Sequence, residues 1–203
     1  MTDRFERRKV TRGRLVDAAL KLFSTSGYEH ATVDDIAQEA GYSKGAYYFH
    51  FSTKDDILLE LLRMWTEGRS AVLAAEAESG SPRATLQAFF SYEEEPAWPA
   101  VLLEFWAQAT RNMEVGKRLS QAYAGWRKQL ADVFAAAAAR GELRAESPQD
   151  AASVALAAHD GFAVQIAIGS PGARPMTAAE LAESLVAPLE TAAASAERRA
   201  AAR

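Results

Sequence analysis

Ser43, Lys44, Gly45 and Ala46 place a hydroxyl, a long cation and two nearly bare backbone positions in one run. Such a run suits contact with a polyanion. Ser43 can satisfy orphan amides at the start of a helix, and Lys44 then stands at the exposed N-terminal end, in reach of guanine acceptors or a phosphate. Gly45 and Ala46 let the backbone approach base edges and a thymine methyl. Tyr47, Tyr48, Phe49 and His50 follow, too many aromatics on a short helix for all to be core. Tyr47 is open to two readings, base contact and packing, with packing preferred; Phe51 and Ile57 read as core.

Other chemistry is sparse. The absence of cysteine excludes disulfides, thiolate catalysis, zinc fingers and cysteine-ligated clusters. His30, His50 and His159 lie far apart, and the chain carries no Gly-rich phosphate loop and no nucleophile elbow. Glu93-Glu94-Glu95 offers carboxylates to a metal, but neighbours on a helix point in different directions, so a solvated acidic helix end before Pro96 is the stronger reading. No catalytic residue, cofactor or metal is expected.

The elements that must position Lys44 are helices. Leu15, Ala18, Ala19, Leu22 and Phe23 line one face of a first helix that Gly27 ends, and Val33, Ile36, Ala37 and Ala40 repeat the spacing in a short second helix capped by Thr32. Gly41 supplies the tight turn, Ser43 caps a third helix across residues 44–50, and Thr53 caps a long fourth one with Leu58, Leu61, Leu62 and Trp65 as its buried stripe. The pair joined at Gly41-Tyr42-Ser43 has the dimensions of a helix-turn-helix, whose second helix enters the DNA major groove. Punctuation then predicts helices over 82–92, 98–111, 115–140, 148–168 and 176–198, the last bent at Pro188, with a frayed tail after Ala194. The fold class is all-α: a three-helix amino-terminal helix-turn-helix bundle over 1–54, joined to a larger helical domain over 55–203, about nine helices in all.

The 203 residues are 49% hydrophobic and 25% charged, a composition that folds. A net charge of -4 does not advertise a nucleic-acid partner, yet residues 1–14 carry six basic side chains against two acidic ones. The segment from Arg4 to Arg14 reads as a solvated basic tail or, beside a DNA-binding bundle, as a phosphate or minor-groove contact. A charged amino terminus and the lack of a long apolar run predict a cytoplasmic protein without a membrane partner.

Residues 32–58, from Thr32-Val33-Asp34-Asp35-Ile36-Ala37 through Gly41-Tyr42-Ser43-Lys44-Gly45-Ala46-Tyr47-Tyr48-Phe49-His50-Phe51 to Lys54-Asp55-Asp56-Ile57-Leu58, resemble the DNA-binding signature of the tetracycline-repressor (TetR) family, and Ala18-Ala19, Leu22-Phe23 and Gly27-Tyr28 fit its first helix. The resemblance implies base contacts from Lys44 and Gly45, with Ala46 close by, and phosphate contacts from Thr32, Ser43, Tyr48, His50 and Lys54. Tyr42 stands where the family usually has a smaller aliphatic residue, and Phe49 where it often has a hydroxyl-bearing aromatic. Residues 98–168, including Trp126-Arg127 and Asp160-Gly161-Phe162, are more loosely similar to the carboxy-terminal domain of the betaine-regulator-like branch.

Aromatics concentrate in that larger domain. Trp98, Phe105, Trp106, Tyr123, Trp126 and Phe162, with Met113 and with Trp65 from the fourth helix, are candidates for the wall of a small-molecule pocket, which the family places in this region. His159 and Gln165 are the polar groups that could orient a ligand, although His159 also reads as a satisfied core histidine. The resemblance further implies a homodimer through the last two helices, a DNA operator of near-palindromic form, and a small-molecule inducer that releases it. The alternatives are a constitutive DNA-binding regulator without an inducer, and an all-α small-molecule-binding protein or enzyme.

Overall fold

Helical periodicity translates into ten α-helices among the residues that the computed structural model describes, 2–77, 80–91, 97–144, 147–169 and 176–201. They are α1 (Thr2–Ser26), α2 (Val33–Glu39), α3 (Lys44–His50), α4 (Lys54–Ala77), α5 (Pro82–Ser91), α6 (Trp98–Ala109), α7 (Met113–Ala139), α8 (Pro148–Ala167), α9 (Ala178–Val186) and α10 (Ala192–Ala201). No strand occurs among the described residues. Glu93, Glu94 and Glu95 fall outside them. Contacts group the chain into two compact units, Met1–Thr66 with Glu95–Leu119, and Glu67–Glu94 with Ser120–Arg203.

In the first unit, α1 packs against α2 and α6, and α2 against α3. Leu15, Ala19, Phe23, Ile36, Ile57, Leu58, Leu61, Leu62, Val101 and Phe105 are buried at the spacing that gives each helix one apolar face. Trp65 and Phe105 meet at 5.9 Å between ring centroids. The basic segment is not a separate arm, since α1 already runs from Thr2. Its Arg, Lys and Glu residues are good helix formers, and Gly13 costs about 1 kcal/mol without ending the run.

In the second unit, α5 packs against α9. The single bent helix expected over 176–198 is broken: Pro188 lies in a 3-10 turn, Ala187–Leu189, because it offers no amide to the helical ladder. The expected frayed tail is instead α10, which ion pairs hold. Arg83 reaches Glu183 and Glu190, while Glu190 also accepts from Arg198 Nη2 at 2.9 Å and Ser195 Oγ at 3.1 Å. Burial alone would raise the Glu190 carboxyl, but Arg198, Arg83 and Ser195 outweigh it and hold it at about 2. A carboxyl depressed in the folded state stabilises fully above its unfolded value and loses that contribution as pH falls toward the folded one. Urea unfolding should therefore show stability declining between roughly pH 5 and pH 2, and Glu190→Gln should cost about 2 kcal/mol at neutral pH with a flatter decline. An unchanged urea midpoint in the variant would contradict this role.

Candidate functional site

Local caps set the geometry of α2 and α3. Thr32 Oγ1 accepts the Asp35 amide at 3.2 Å while Asp35 Oδ2 accepts the Thr32 amide at 3.0 Å, so two orphan donors are satisfied reciprocally. Gly41 takes φ +76°, a conformation open to glycine, and the chain turns there into α3. Ser43 Oγ accepts the Ala46 amide at 3.3 Å. Tyr47 fastens α3 from beneath: it is fully buried, its ring lies 5.7 Å from that of Phe51, and its hydroxyl donates to the Thr53 carbonyl at 2.8 Å. The packing reading of Tyr47 holds.

With Tyr47 inside, the opposite side of α3 faces outward. Ser43, Lys44 and Gly45 are exposed, as is Thr32, and Ala46 is half-buried. Tyr48 is 50% exposed and Phe49 63%, so the surplus aromatics do project into solvent. Lys44 Nζ donates to Asp34 Oδ2 at 2.7 Å, which raises the ammonium's pKa and keeps it charged. His50 is half-buried, and burial together with Arg8 and Arg12 lowers its pKa, favouring the neutral ring. Lys54 is differently engaged. Its Nζ donates to the carbonyls of Tyr28, Glu29 and Ala31 at 2.6, 3.3 and 3.0 Å and lies 4.3 Å from the centroid of the Tyr28 ring. All three of its protons serve the loop before α2.

The basic start of α1 is tied to the same region. The Arg8 guanidinium lies 5.0 Å from the Phe49 ring centroid, and Arg12 lies at the same distance from that of Phe51. Arg12 also pairs with Glu60, as does Arg63, and these two hold the buried Glu60 carboxyl at about 2. A helical, cationic ridge therefore lies next to α3 where the sequence left a solvated tail and a DNA-contacting segment both open.

The pocket candidates divide between the units. Trp65, Trp98, Phe105, Trp106 and Met113 belong to the first; Trp65, Trp98 and Phe105 are buried and Trp106 is half-buried, but Met113 is 90% exposed on the first turn of α7. Tyr123, Trp126, His159, Phe162 and Gln165 belong to the second, where Gln165 is exposed and Phe162 half-buried. The remaining three gather around a residue that sequence reasoning missed. Arg69 is 1% exposed, with its guanidinium 3.8 Å from the Phe89 ring centroid and 5.5 Å from that of Trp126. Its Nη2 lies 3.3 Å from His159 Nε2, and His159 Nδ1 lies 3.1 Å from Asp160 Oδ1. Tyr123 donates to Asp160 at 2.6 Å, Trp126 Nε1 donates to Ser70 at 3.0 Å, and Phe90 stacks on His159 at 5.3 Å. One signal was available: Arg69 continues the apolar stripe of Leu58, Leu62 and Trp65 at helical spacing, a cation on a buried face.

Among the described residues no group of three acidic or histidine side chains could hold a metal, and no helix is long and apolar enough to cross a membrane. Residues 15–61 match the bacterial regulatory proteins of the tetR family, and residues 82–189 match the C-terminal part of BetI-type transcriptional repressors. The HTH-type transcriptional repressor Rv1474c of Mycobacterium tuberculosis is 30% identical over 183 residues, 86% of this chain and 92% of that protein. The uncharacterized HTH-type transcriptional regulator YwcC of Bacillus subtilis is 46% identical over 56 residues, 28% of this chain, and the match spans a quarter (25%) of YwcC's length. A solved transcriptional regulator from Saccharomonospora viridis, in complex with choline, superposes with a TM-score of 0.73 at 25% identity over 86% of this chain and 92% of its own. With a helix-turn-helix built as that family builds it and matches along most of its length, the chain belongs to the TetR family of bacterial transcriptional regulators, with a carboxy-terminal part of the BetI type.

Proposed function

We propose that this regulator is a repressor that binds a near-palindromic operator as a homodimer in the cytoplasm and leaves it when a small molecule binds its carboxy-terminal domain. The observation that carries this reading is the exposed start of α3, where Ser43, Lys44 and Gly45 face solvent directly above a fully buried Tyr47. A rigid helix with a bare backbone and a leading cation is suited to the major groove. Lys44 and Gly45 read bases, with Ala46 against a thymine methyl; Thr32, Ser43, Tyr48 and His50 hold phosphates. Lys54, with its ammonium on three carbonyls, shapes the loop that presents Thr32. Residues 1–54 form the DNA-binding part in this reading, and residues 55–203 sense and dimerise.

The dimer rests on α8. Val154, Ala157, Gly161, Gln165 and Ile168 share one side of it, Val154 and Ile168 are 58% and 65% exposed, and a Cβ at Gly161 would meet nothing within 4 Å. Small residues there allow a partner helix to approach closely. The effector acts by binding one of two conformations better than the other, and so lowers operator affinity without touching the DNA surface.

The cluster of Arg69, Phe89, Trp126 and His159 is the polar and aromatic centre available to that effector in the second unit. Aromatic faces suit a quaternary ammonium such as the choline held by the Saccharomonospora viridis protein, yet here a guanidinium already covers them. Selection from a random duplex pool, followed by elution with candidate metabolites including choline, tests the proposal. It predicts enrichment of one near-palindromic duplex and its release by one class of compound. Failure to enrich any duplex would overturn the DNA-binding reading, and a duplex retained against every compound would leave a constitutive regulator.

A further inference from the structure

Between the first helix and the reading head, α2 with α3, lies a loop, residues 27–31, that α6 grips with hydrogen bonds rather than with packing alone. Glu104 Oε1 accepts the Tyr28 amide at 3.0 Å. Four residues on, the buried Gln108 donates through Nε2 to Glu29 Oε1 at 3.0 Å. Four residues further, just beyond α6, Asn112 donates through Nδ2 to Asp55 Oδ2 at 3.0 Å, while its Oδ1 accepts the Glu114 and Val115 amides that open α7. The three therefore form a polar ladder along one side of α6 and its extension.

The grip is close. Gly27 has φ +80°, and a Cβ there would meet Glu104 Oε1 at 3.0 Å. From the other side the loop is held by Lys54 on three of its carbonyls, and the Tyr28 hydroxyl donates to Asp55, the same carboxylate that receives Asn112. The loop ends at Thr32, the N-cap of α2, and α2 packs on α3. Apolar contact between α1 and α6 is non-directional and tolerates small rotations, whereas hydrogen bonds weaken steeply when misaligned. The ladder therefore supplies directional contact between α6 and the reading head.

We propose that Glu104, Gln108 and Asn112 are positioning residues for DNA recognition: by holding Tyr28, Glu29 and Asp55 they fix the angle of α2 and α3 against α6 and thereby set which half-site separation a dimer accepts. This rests on the DNA-binding reading above. None of the three touches DNA in it, and their effect passes through the loop and the start of α4.

The test uses the full chain, the duplex obtained by selection, and two derivatives with one base pair added or removed at its centre. Wild type should prefer the native spacing by about tenfold or more. Glu104→Ala removes the acceptor for the Tyr28 amide, and Asn112→Asp keeps the cap on α7 but sets a carboxylate against Asp55. Both should lower affinity for the native duplex by about tenfold and bring the three affinities within about twofold of one another. Glu104→Gln keeps an acceptor oxygen and should restore both affinity and spacing preference. Thermal unfolding of each variant separates positioning from stability. Equal loss on all three duplexes, or wild-type affinities throughout, overturns the proposal. A wild type that does not distinguish the selected duplex from a shuffled one overturns the DNA-binding reading itself.

Discussion

Replacing Lys44 with alanine is expected to weaken operator binding by about ten- to a hundredfold and to flatten base preference at the position it faces. Lys44 leads α3, with the exposed Gly45 beside it, and its ammonium donates to the Asp34 carboxylate. Both partners of that pair are more than half exposed, at 53% and 62%. Exposed pairs of this kind contribute little and are screened by salt, so guanine acceptors or a phosphate can take the ammonium from Asp34 at small cost. Tyr48→Phe is the matched control. It removes one hydroxyl from a half-exposed ring and should weaken all sequences alike, by about threefold, because phosphates carry no base identity. Fluorescence anisotropy on the selected duplex and its single-base variants separates the two patterns. Lys44→Ala binding like wild type would remove the recognition helix from the contact.

The second large effect is on stability. Tyr47→Ala should destabilise the first unit by about 3–5 kcal/mol, read as a lower urea midpoint, because it empties a fully buried site. The ring lies against Tyr48 and Phe51, each 5.7 Å away between centroids. Its hydroxyl binds the carbonyl of Thr53, whose own Oγ1 caps Asp56 at 3.1 Å, so α3 and the first turn of α4 lose a common anchor. Burial, with Asp56 adding to it, raises the phenol's pKa and keeps it a neutral donor. Tyr47→Phe retains the ring and should cost about 1 kcal/mol with operator affinity nearly intact. Loss of DNA binding in Tyr47→Phe at undiminished stability would return Tyr47 to the base-contact reading.

What was legible in the residues is what depends on near neighbours. Thr32 with Asp35, Gly41, and Ser43 with Ala46 act within a few positions, so α2, the turn and α3 follow from local chemistry. The apolar stripe likewise gave α4, and punctuation gave α8, whose buried face runs through Ala152, Ala155, Leu156, His159 and Ala163. What was not legible depends on distant partners. Lys54 looks like any cation at the edge of a DNA-binding bundle until three carbonyls 23 to 26 residues away claim it. Glu104 and Tyr28 are 76 positions apart, and Arg69 and His159 are 90 apart, with no periodicity linking either pair. Met113 and Gln165 show the converse limit. Their types suit a pocket, but the faces of α7 and α8 on which they fall are turned to solvent.

The basic segment shows why average charge misleads. The chain carries -4 overall, yet Arg8 and Arg12 stand in register on α1 against Phe49 and Phe51, so the cations are presented by a helix and not by a loose tail. In the proposed complex such a ridge would add phosphate contacts, whose release of counterions would make affinity fall with salt.

The most direct measurement is the affinity of the full chain for the selected duplex and for a shuffled duplex of equal length across a series of salt concentrations. The account predicts that the selected duplex binds about a thousandfold or more tighter at physiological salt, while both affinities fall log-linearly as salt rises. Equal affinity for the two duplexes at every salt concentration would contradict sequence-specific recognition by α3.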